Sequence, residues 1–366
     1  MYLKELSLIH FKNYPEAAVS FIPKMNCFTG ANGMGKTNLL DAIHYLSLCK
    51  SFFNTIDSQN ISFGEPFFMI QGVFEKDGRE EEVMVSVKRA QKKIVTRNKN
   101  EYEKLSEHIG LFPLVMISPL DSVLITGGSD QRRRFLDGII SQFDKRYLDE
   151  LIAYNNVLQQ RNALLKQFAM QRSFDGALLE VIDEQLSSHG EYIQKVRQDF
   201  LQDFIPVFEK YYKILSGNAE PVELRYISTL EGLSYMQALK NAQHKDCAVE
   251  HTSVGIHRDD LNFLLQENEV KKYASQGQQK TYLLALKLAQ YEYIRNRTGI
   301  KPLLLLDDVY DKLDHQRFEK LIHLVSSDEF GQVFITDTSF ERIKELFSGR
   351  QNCRVFWVER GTVEAI

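Results

Sequence analysis

The run Gly30-Ala31-Asn32-Gly33-Met34-Gly35-Lys36-Thr37 constrains this chain more than any other stretch of it. It matches GxxxxGK[ST] in full, a pattern whose residue types follow from holding phosphate. Glycines let backbone N–H groups turn inward around an oxyanion with no side chain in the way. The helix expected to follow aims its unpaired amides and positive dipole end at the same charge. Lys36 is placed to neutralise the β and γ phosphates, and the Thr37 hydroxyl to ligate Mg²⁺. The flanks supply the context that the motif needs. Met25–Thr29 reads as a short apolar strand, and Leu39, Leu40, Ile43, Leu46 and Leu48 are spaced as on an amphipathic helix over Thr37–Leu48. A strand, a glycine turn and a helix in that order predict an α/β fold with ATP and Mg²⁺ as its ligands.

Two further segments join this one. Leu303-Leu304-Leu305-Leu306-Asp307-Asp308 reads as a fully buried strand delivering carboxylates at its C-terminal end, where ligands gather in open α/β sheets. There Asp307 is expected in the Mg²⁺ shell beside Thr37, and Asp308 is placed to orient an attacking water. Taken alone, such a run occurs at many plain strand ends. The second segment, Ser275-Gln276-Gly277-Gln278-Gln279, precedes a helix expected over Thr281–Arg297. It carries Ser-x-Gly-Gln, the signature of phosphate-loop enzymes of the ABC class, whose serine and helix tip touch the γ-phosphate held by a second copy of the domain. The plainer reading is a polar helix start with Ser275 as its N-cap.

Length and composition limit the remaining choices. A chain of 366 residues, 43% apolar and 26% charged, can bury a large core spread over two or three domains. Its 45 basic against 49 acidic residues leave a net charge of −4, which excludes a histone-like basic coat but not a local basic surface. Cys27, Cys49, Cys247 and Cys353 include no CxxC pair, so reduced thiols in the cytoplasm are expected. No apolar run approaches the roughly 20 residues of a spanning helix. The N-terminus alternates like a strand, with Leu6, Leu8 and Phe11 inward, and a membrane or exported protein is not expected.

Along the chain, Phe67–Glu75 and Glu82–Lys88 read as paired strands joined by a turn at Lys76-Asp77-Gly78. Lys88–Lys104 is a basic hairpin with seven Lys/Arg against two Glu. From Tyr147 to Leu215 the spacing turns helical. Leu148, Leu151, Asn155, Leu158, Asn162, Leu165 and Ala169 form one stripe; Leu179, Ile182, Leu186, His189, Ile193, Val196 and Phe200 form another. A break near Ser173–Gly176 makes these an antiparallel helical arm or two long helices buried against the body. Asp259–Leu265, Lys271–Tyr273 and Val333–Thr336 read as strands. The expected plan is a head built from both chain ends, 1–120 and 251–366, split by a largely helical lobe at 121–250.

These motifs in this order resemble the SMC-like ABC ATPases of DNA maintenance. The resemblance runs over essentially the whole length and includes Phe11-Lys12-Asn13-Tyr14, Arg132-Arg133-Arg134-Phe135-Leu136-Asp137, Gly255-Ile256-His257-Arg258-Asp259-Asp260 and LLLLDDVYDKLD. It implies an ABC-type head with a short helical arm. It also implies an ATP-dependent homodimer closing as a clamp on DNA, with slow ATP hydrolysis. The role implied is recombinational gap repair, recombinase loading at single-strand gaps, replication restart and SOS induction, with RecO and RecR as partners. By position, Gly30 to Thr37 carry over as the nucleotide loop with Lys36 catalytic, Asp307 and Asp308 as the metal and water pair, Ser275, Gly277 and Gln278 as the trans contact, and Asp314 as a dimer-facing loop residue. Asp308 stands where the class usually has Glu, which implies slow turnover. Neither Ile117-Ser118-Pro119-Leu120-Asp121 nor the more distant Gln71 supplies an evident Gln contact to Mg²⁺.

For DNA, the candidates are Arg132, Arg133 and Arg134, three adjacent guanidiniums, with Lys92 and Lys93 of the basic hairpin. Adjacent residues on a helix fan over different faces, so one or two of the arginines can equally be structural ion pairs. Two other classes compete. The ATP-hydrolysing subunit of a transporter is disfavoured by the roughly 240 residues between phosphate loop and signature. A phosphate-loop kinase is disfavoured by the signature itself.

Overall fold

The computed structural model describes residues 1–217, 220–230, 232–310, 315–347 and 352–366, and divides into two compact units. The first comprises Met1–Asp121, Tyr211–Gly217 and Lys280–Ile366. It holds two six-stranded sheets. One is antiparallel, in the order Tyr14–Ser20, Tyr2–Phe11, Phe67–Lys76, Arg79–Lys88, Ile94–Arg97, Asn100–Glu101. Its central hairpin turns at Asp77-Gly78, both with positive φ (53° and 75°), which matches the right-handed twist of the strands. The alternation seen in the sequence is real: Leu3, Leu6, Leu8, Phe68, Ile70 and Phe74 are all buried.

The other sheet runs Thr362–Ala365, Cys353–Glu359, Met25–Thr29, Val333–Asp337, Leu303–Leu306, Leu114–Ile117, parallel throughout except at its first strand. Its inner strands are buried on both faces, which explains their unbroken apolar runs. The helix Lys36–Leu48 touches both sheets. It is therefore buried almost all round, ten of its 13 residues, instead of on the single stripe expected. Its polar members are satisfied: Asp41 accepts from Ser51 Oγ (2.6 Å) and Phe52 N (2.7 Å) and pairs with Lys12 (2.6 Å).

The second unit comprises Ser122–Lys210 and Asn218–Gln279. It thus extends past the boundary at 250 expected from the sequence, because Asp260–Leu265 pairs antiparallel with Val222–Ile227 in a three-stranded sheet. The strand expected at Lys271–Tyr273 is instead a helical turn, Val270–Tyr273. Consecutive positive φ values at Gln266 and Glu267 turn the chain back, and after Asn268–Glu269 it leaves the sheet edge.

The helical arm is present as Lys145–Gln171 and Gly176–Ser216. Contacts of Glu150 with His189 and of Arg161 with Asp183 make the two helices antiparallel. On the first helix the expected stripe is displaced. Tyr147, Tyr154, Val157, Arg161, Leu164, Leu165 and Phe168 are buried, while Asn155 and Ala169 are exposed. Arg161 causes the discrepancy: fully buried, it reaches Asp183 Oδ1 and Asp246 Oδ2, each at 2.6 Å, so a charged residue occupies a core position. Leu179, Leu186, Ile193 and Phe200 of the second stripe are buried as expected.

Candidate nucleotide-binding site

Parallel register brings the two phosphate motifs together at one end of their sheet. Thr29 pairs with Asp337 and Leu306 with Ile335, so the chain leaves both inner strands at the same level, into the glycine loop and into Asp307. The loop is tightly framed. Gly30 has φ 148°, and a Cβ there would lie 2.3 Å from the Val358 carbonyl oxygen. Gly35 has φ 113°, and a Cβ would meet the Asn13 amide at 2.4 Å. Backbone blocks a side chain at Gly30, and the positive φ of both positions strains any residue but glycine. Between them Ala31, Asn32 and Gly33 are exposed and Met34 is half-buried. The helix Lys36–Leu48 begins at Gly35 with no side-chain cap on its first amides, the arrangement that an anion completes.

Lys36 is buried, and its ammonium donates to the carbonyls of Gly30 (2.8 Å) and Ala31 (3.0 Å), holding it across the loop. Thr37 Oγ1 donates to Asp307 Oδ1 at 2.8 Å, joining motifs 270 residues apart. Burial pushes the Asp307 carboxyl up to about 6, with the neighbouring Asp308 charge adding to the effect. A buried carboxylate and a hydroxyl within hydrogen-bond reach are a hard-oxygen pair that suits a divalent cation, whose charge would relieve the cost of burial. The sequence-predicted pair Thr37 and Asp307 therefore fits Mg²⁺.

Three residues that sequence reasoning left without a role complete the frame. Thr336 Oγ1 donates to Asp307 Oδ1 (3.0 Å) and accepts from the Asp308 amide (2.9 Å), so it holds both acids. Asp308 itself sits in the left-handed region, at φ 44°, partly exposed. Asn13 Nδ2 donates to the Met34 carbonyl (3.0 Å), and Tyr14 Oη to that of Gly35 (3.0 Å). The tight turn after Tyr2–Phe11 thus clamps the glycine loop from the antiparallel sheet. Only the string Phe11-Lys12-Asn13-Tyr14 signalled this in the sequence, without saying what it did.

The loop 117–121, the expected place of a Gln contact, is otherwise occupied. Asp307 N donates to the Ile117 carbonyl (2.8 Å), and Asp121 pairs with Lys287 (2.6 Å) and accepts from Ser118 N. Gln71 alternates with Ile70 and Gly72, whose face meets the phosphate-loop helix, so it points to the other side of its sheet. Asp314 lies outside the described residues.

In the second unit, Ser275 is exposed at the tip of the helix Gln276–Thr298. Its Oγ accepts from Gln278 N (3.3 Å), while Gln278 Oε1 accepts from Ser275 N (2.8 Å). This is a reciprocal capping box. The capping reading is therefore realised, and it leaves the serine proton available to an outside acceptor.

The basic candidates separate sharply. Arg132 forks onto Asp260 (2.7 and 2.9 Å) and also reaches the Leu124 and Gly127 carbonyls, so it is structural. Arg133 is half-buried and donates to the Asp259 carbonyl. Arg134 is exposed, 4.0 Å from Asp130. Lys93 is not an open contact: it donates to the Cys49 carbonyl and Asp57 and covers the Tyr45 ring. Lys92 is exposed.

The sheet order, the framed loop and the inserted helical unit define a head of the SMC-like ABC ATPase class. A family model described as the RecF/RecN/SMC N terminal domain matches residues 2–364. The chain is 50% identical over 365 residues to the DNA replication and repair protein RecF of Parabacteroides distasonis, covering 100% of this chain and 99% of that one. It belongs to the RecF family of bacterial DNA replication and repair proteins. A solved structure of the recombination mediator protein RecF with ATP, in the RecFOR pathway, matches with TM-score 0.91 at 33% identity, covering 100% of this chain and 97% of that one. An Smc head bound to the C-winged helix domain of ScpA matches at TM-score 0.58 and 16% identity, covering 100% of this chain and 97% of that one; this is a likeness of fold alone. Among the described residues no helix is long and apolar enough to cross a membrane.

Proposed function

We propose that this chain is an ATP-dependent DNA-binding protein of recombinational gap repair in the cytoplasm, two copies of which close as a clamp when each holds ATP. The observation that carries the reading is the 2.8 Å bond between Thr37 and Asp307, which unites the phosphate loop with the acidic strand end. The amides of Gly30 to Thr37 bind the phosphates, and Lys36 exchanges its loop carbonyls for β and γ oxygens. Thr37 and Asp307 would hold Mg²⁺, which when bound neutralises charge developing on the phosphate oxygens. Asp308, held through its amide by Thr336, orients the attacking water. Its short side chain and strained backbone favour slow turnover, as a timer needs. Ser275, Gly277 and Gln278 form the helix tip that completes the partner's pocket; the exposure of Ser275 at a helix start supports that role. The DNA contacts proposed are Arg134 and Lys92, the basic candidates left at the surface. Membership of the family supports loading of a recombinase at gaps with RecO and RecR, replication restart and SOS induction as the role, and the ATP of the matched RecF structure supports ATP as the nucleotide.

Sedimentation with and without ATP and duplex DNA tests this. The expected result is a dimer only with ATP, DNA-stimulated hydrolysis, and loss of both in Lys36→Ala. A wild-type protein that stays monomeric in saturating ATP would overturn the clamp.

A further inference from the structure

A cavity of about 280 Å³ opens beside the helix Ser129–Ile140 in the second unit, lined by three arginines and two aspartates. Most of that charge is already spent. Arg197, 1% exposed, reaches Asp137 Oδ1 (2.8 Å) and the Ile256 carbonyl (2.9 Å), and the same Asp137 oxygen accepts from Tyr147 Oη (2.5 Å). Asp130 accepts from the Gln131 amide (3.0 Å) and stands 4.0 Å from Arg134 at the exposed rim. Arg133 differs from both. Its hydrogen bond goes to a backbone carbonyl, Asp259, and among the described residues no carboxylate lies within 4.0 Å of it. Burial, followed by the like charge of Arg197, disfavours its charged form. A guanidinium does not neutralise itself in a protein, and the charges of Asp260, Asp130 and Asp137 reach this half-buried one only from beyond 4.0 Å, so it lacks a directly paired anion.

The other wall offers no acceptor. His257 Nε2 faces the Thr252 carbonyl (3.1 Å) and must donate to it. Nδ1 therefore accepts from Tyr154 Oη (2.7 Å), and Tyr154 in turn accepts from Tyr235 Oη (2.7 Å). Burial lowers the His257 pKa to about 4, so the ring carries no charge at neutral pH. Besides the carboxylate oxygens of Asp130 and Asp137, the polar groups lining the cavity offer donors: the remaining N–H groups of Arg133, the Arg134 guanidinium and the amino group of the exposed Asn155.

We propose that this cavity is an anion site that takes a phosphate monoester, gripped by Arg133 and Arg134. Two planar guanidinium forks match the oxygens of a phosphate dianion, whereas a carboxylate would compensate only one of them. The volume lies near the lower edge of ligand pockets, which run from about 300 Å³, enough for a phosphate and the sugar that bears it. Such a group arrives either as the terminal phosphate of a nucleic-acid strand or on a free phosphorylated small molecule. Every lining residue belongs to the second unit, whereas the glycine loop belongs to the first.

The test uses the full chain saturated with ADP, so that the glycine loop is filled. Anisotropy compares short 3′-labelled single strands ending in a 5′-phosphate or a 5′-hydroxyl, and calorimetry titrates glycerol phosphate. The expected result is about tenfold tighter binding of the phosphorylated member in at least one arm, abolished in Arg133→Gln and reduced severalfold in Arg134→Gln. Preference in the strand arm alone assigns the site to strand ends, and heat with glycerol phosphate assigns it to small phosphorylated molecules. No preference in either arm, or one that survives Arg133→Gln in protein melting like the wild type, overturns the proposal. Arg134→Gln, changed only at the rim, keeps the test valid if Arg133→Gln misfolds.

Discussion

Tyr14 gives the nucleotide loop a support that no motif announces. Its hydroxyl is the buried donor to the Gly35 carbonyl, beside the start of the phosphate-loop helix. Tyr14→Phe removes one hydrogen bond worth about 1 kcal/mol while keeping the ring in place. ATP affinity should fall severalfold with little change in melting temperature; equal nucleotide titrations of mutant and wild type would remove the clamp from the account. The arginine triplet divides in the same way. Arg132→Ala breaks a partly buried fork onto Asp260 and should destabilise by roughly 1–3 kcal/mol without changing salt-dependent DNA binding. Arg134→Glu should do the reverse, lowering the slope of log affinity against log salt by about one. The motif residues themselves were readable because phosphate chemistry fixes their types and spacing. Thr336, Asn13 and Tyr14 were not, because a lone hydroxyl or amide acquires its role only from what folding sets beside it.

At the scale of elements, the capping box at Ser275 and Gln278 makes the tip of the helix Gln276–Thr298 a rigid surface feature. Ser275→Arg should leave nucleotide binding near normal and stop ATP-driven dimerisation, read as molar mass by light scattering. Dimers of that variant in ATP would refute the trans contact. Strand positions were legible where burial is two-sided, as at Met25–Thr29, and where alternation is strict, as at Phe67–Lys76. The arm was legible in its length and its break but not in its register. Periodicity read from apolar residues alone cannot register Arg161, whose burial is made tolerable by Asp183 and Asp246, supplied from elsewhere in the chain. The segment Val270–Tyr273 failed for a related reason: four residues carry too little pattern to separate a strand from a turn of helix.

For the molecule as a whole, acid should be destabilising in a way that follows from two buried rings. His108, bonded to the Leu46 carbonyl and Tyr102, and His257 are each lowered to about 4 by burial. The unfolded chain takes up their protons near pH 6.5 and the folded one does not. Their stabilisation is thus complete above that pH and is lost as pH falls towards 4, by about 2 kcal/mol per ring at pH 5. Urea midpoints at pH 7 and 5 measure the loss. A nitrogen-resolved NMR titration that finds either ring protonated at pH 6 would contradict it.

The glycine loop rests on strands encoded far after it. Met25–Thr29 lies between Val333–Asp337 and Cys353–Glu359, and Gly30 packs against the carbonyl of Val358. On the ribosome, the loop therefore emerges hundreds of residues before the strands that brace it. A nascent or prematurely terminated chain that carries the whole motif but not these strands lacks its walls, so nucleotide capture is deferred until Val333–Asp337 and Cys353–Glu359 have been made.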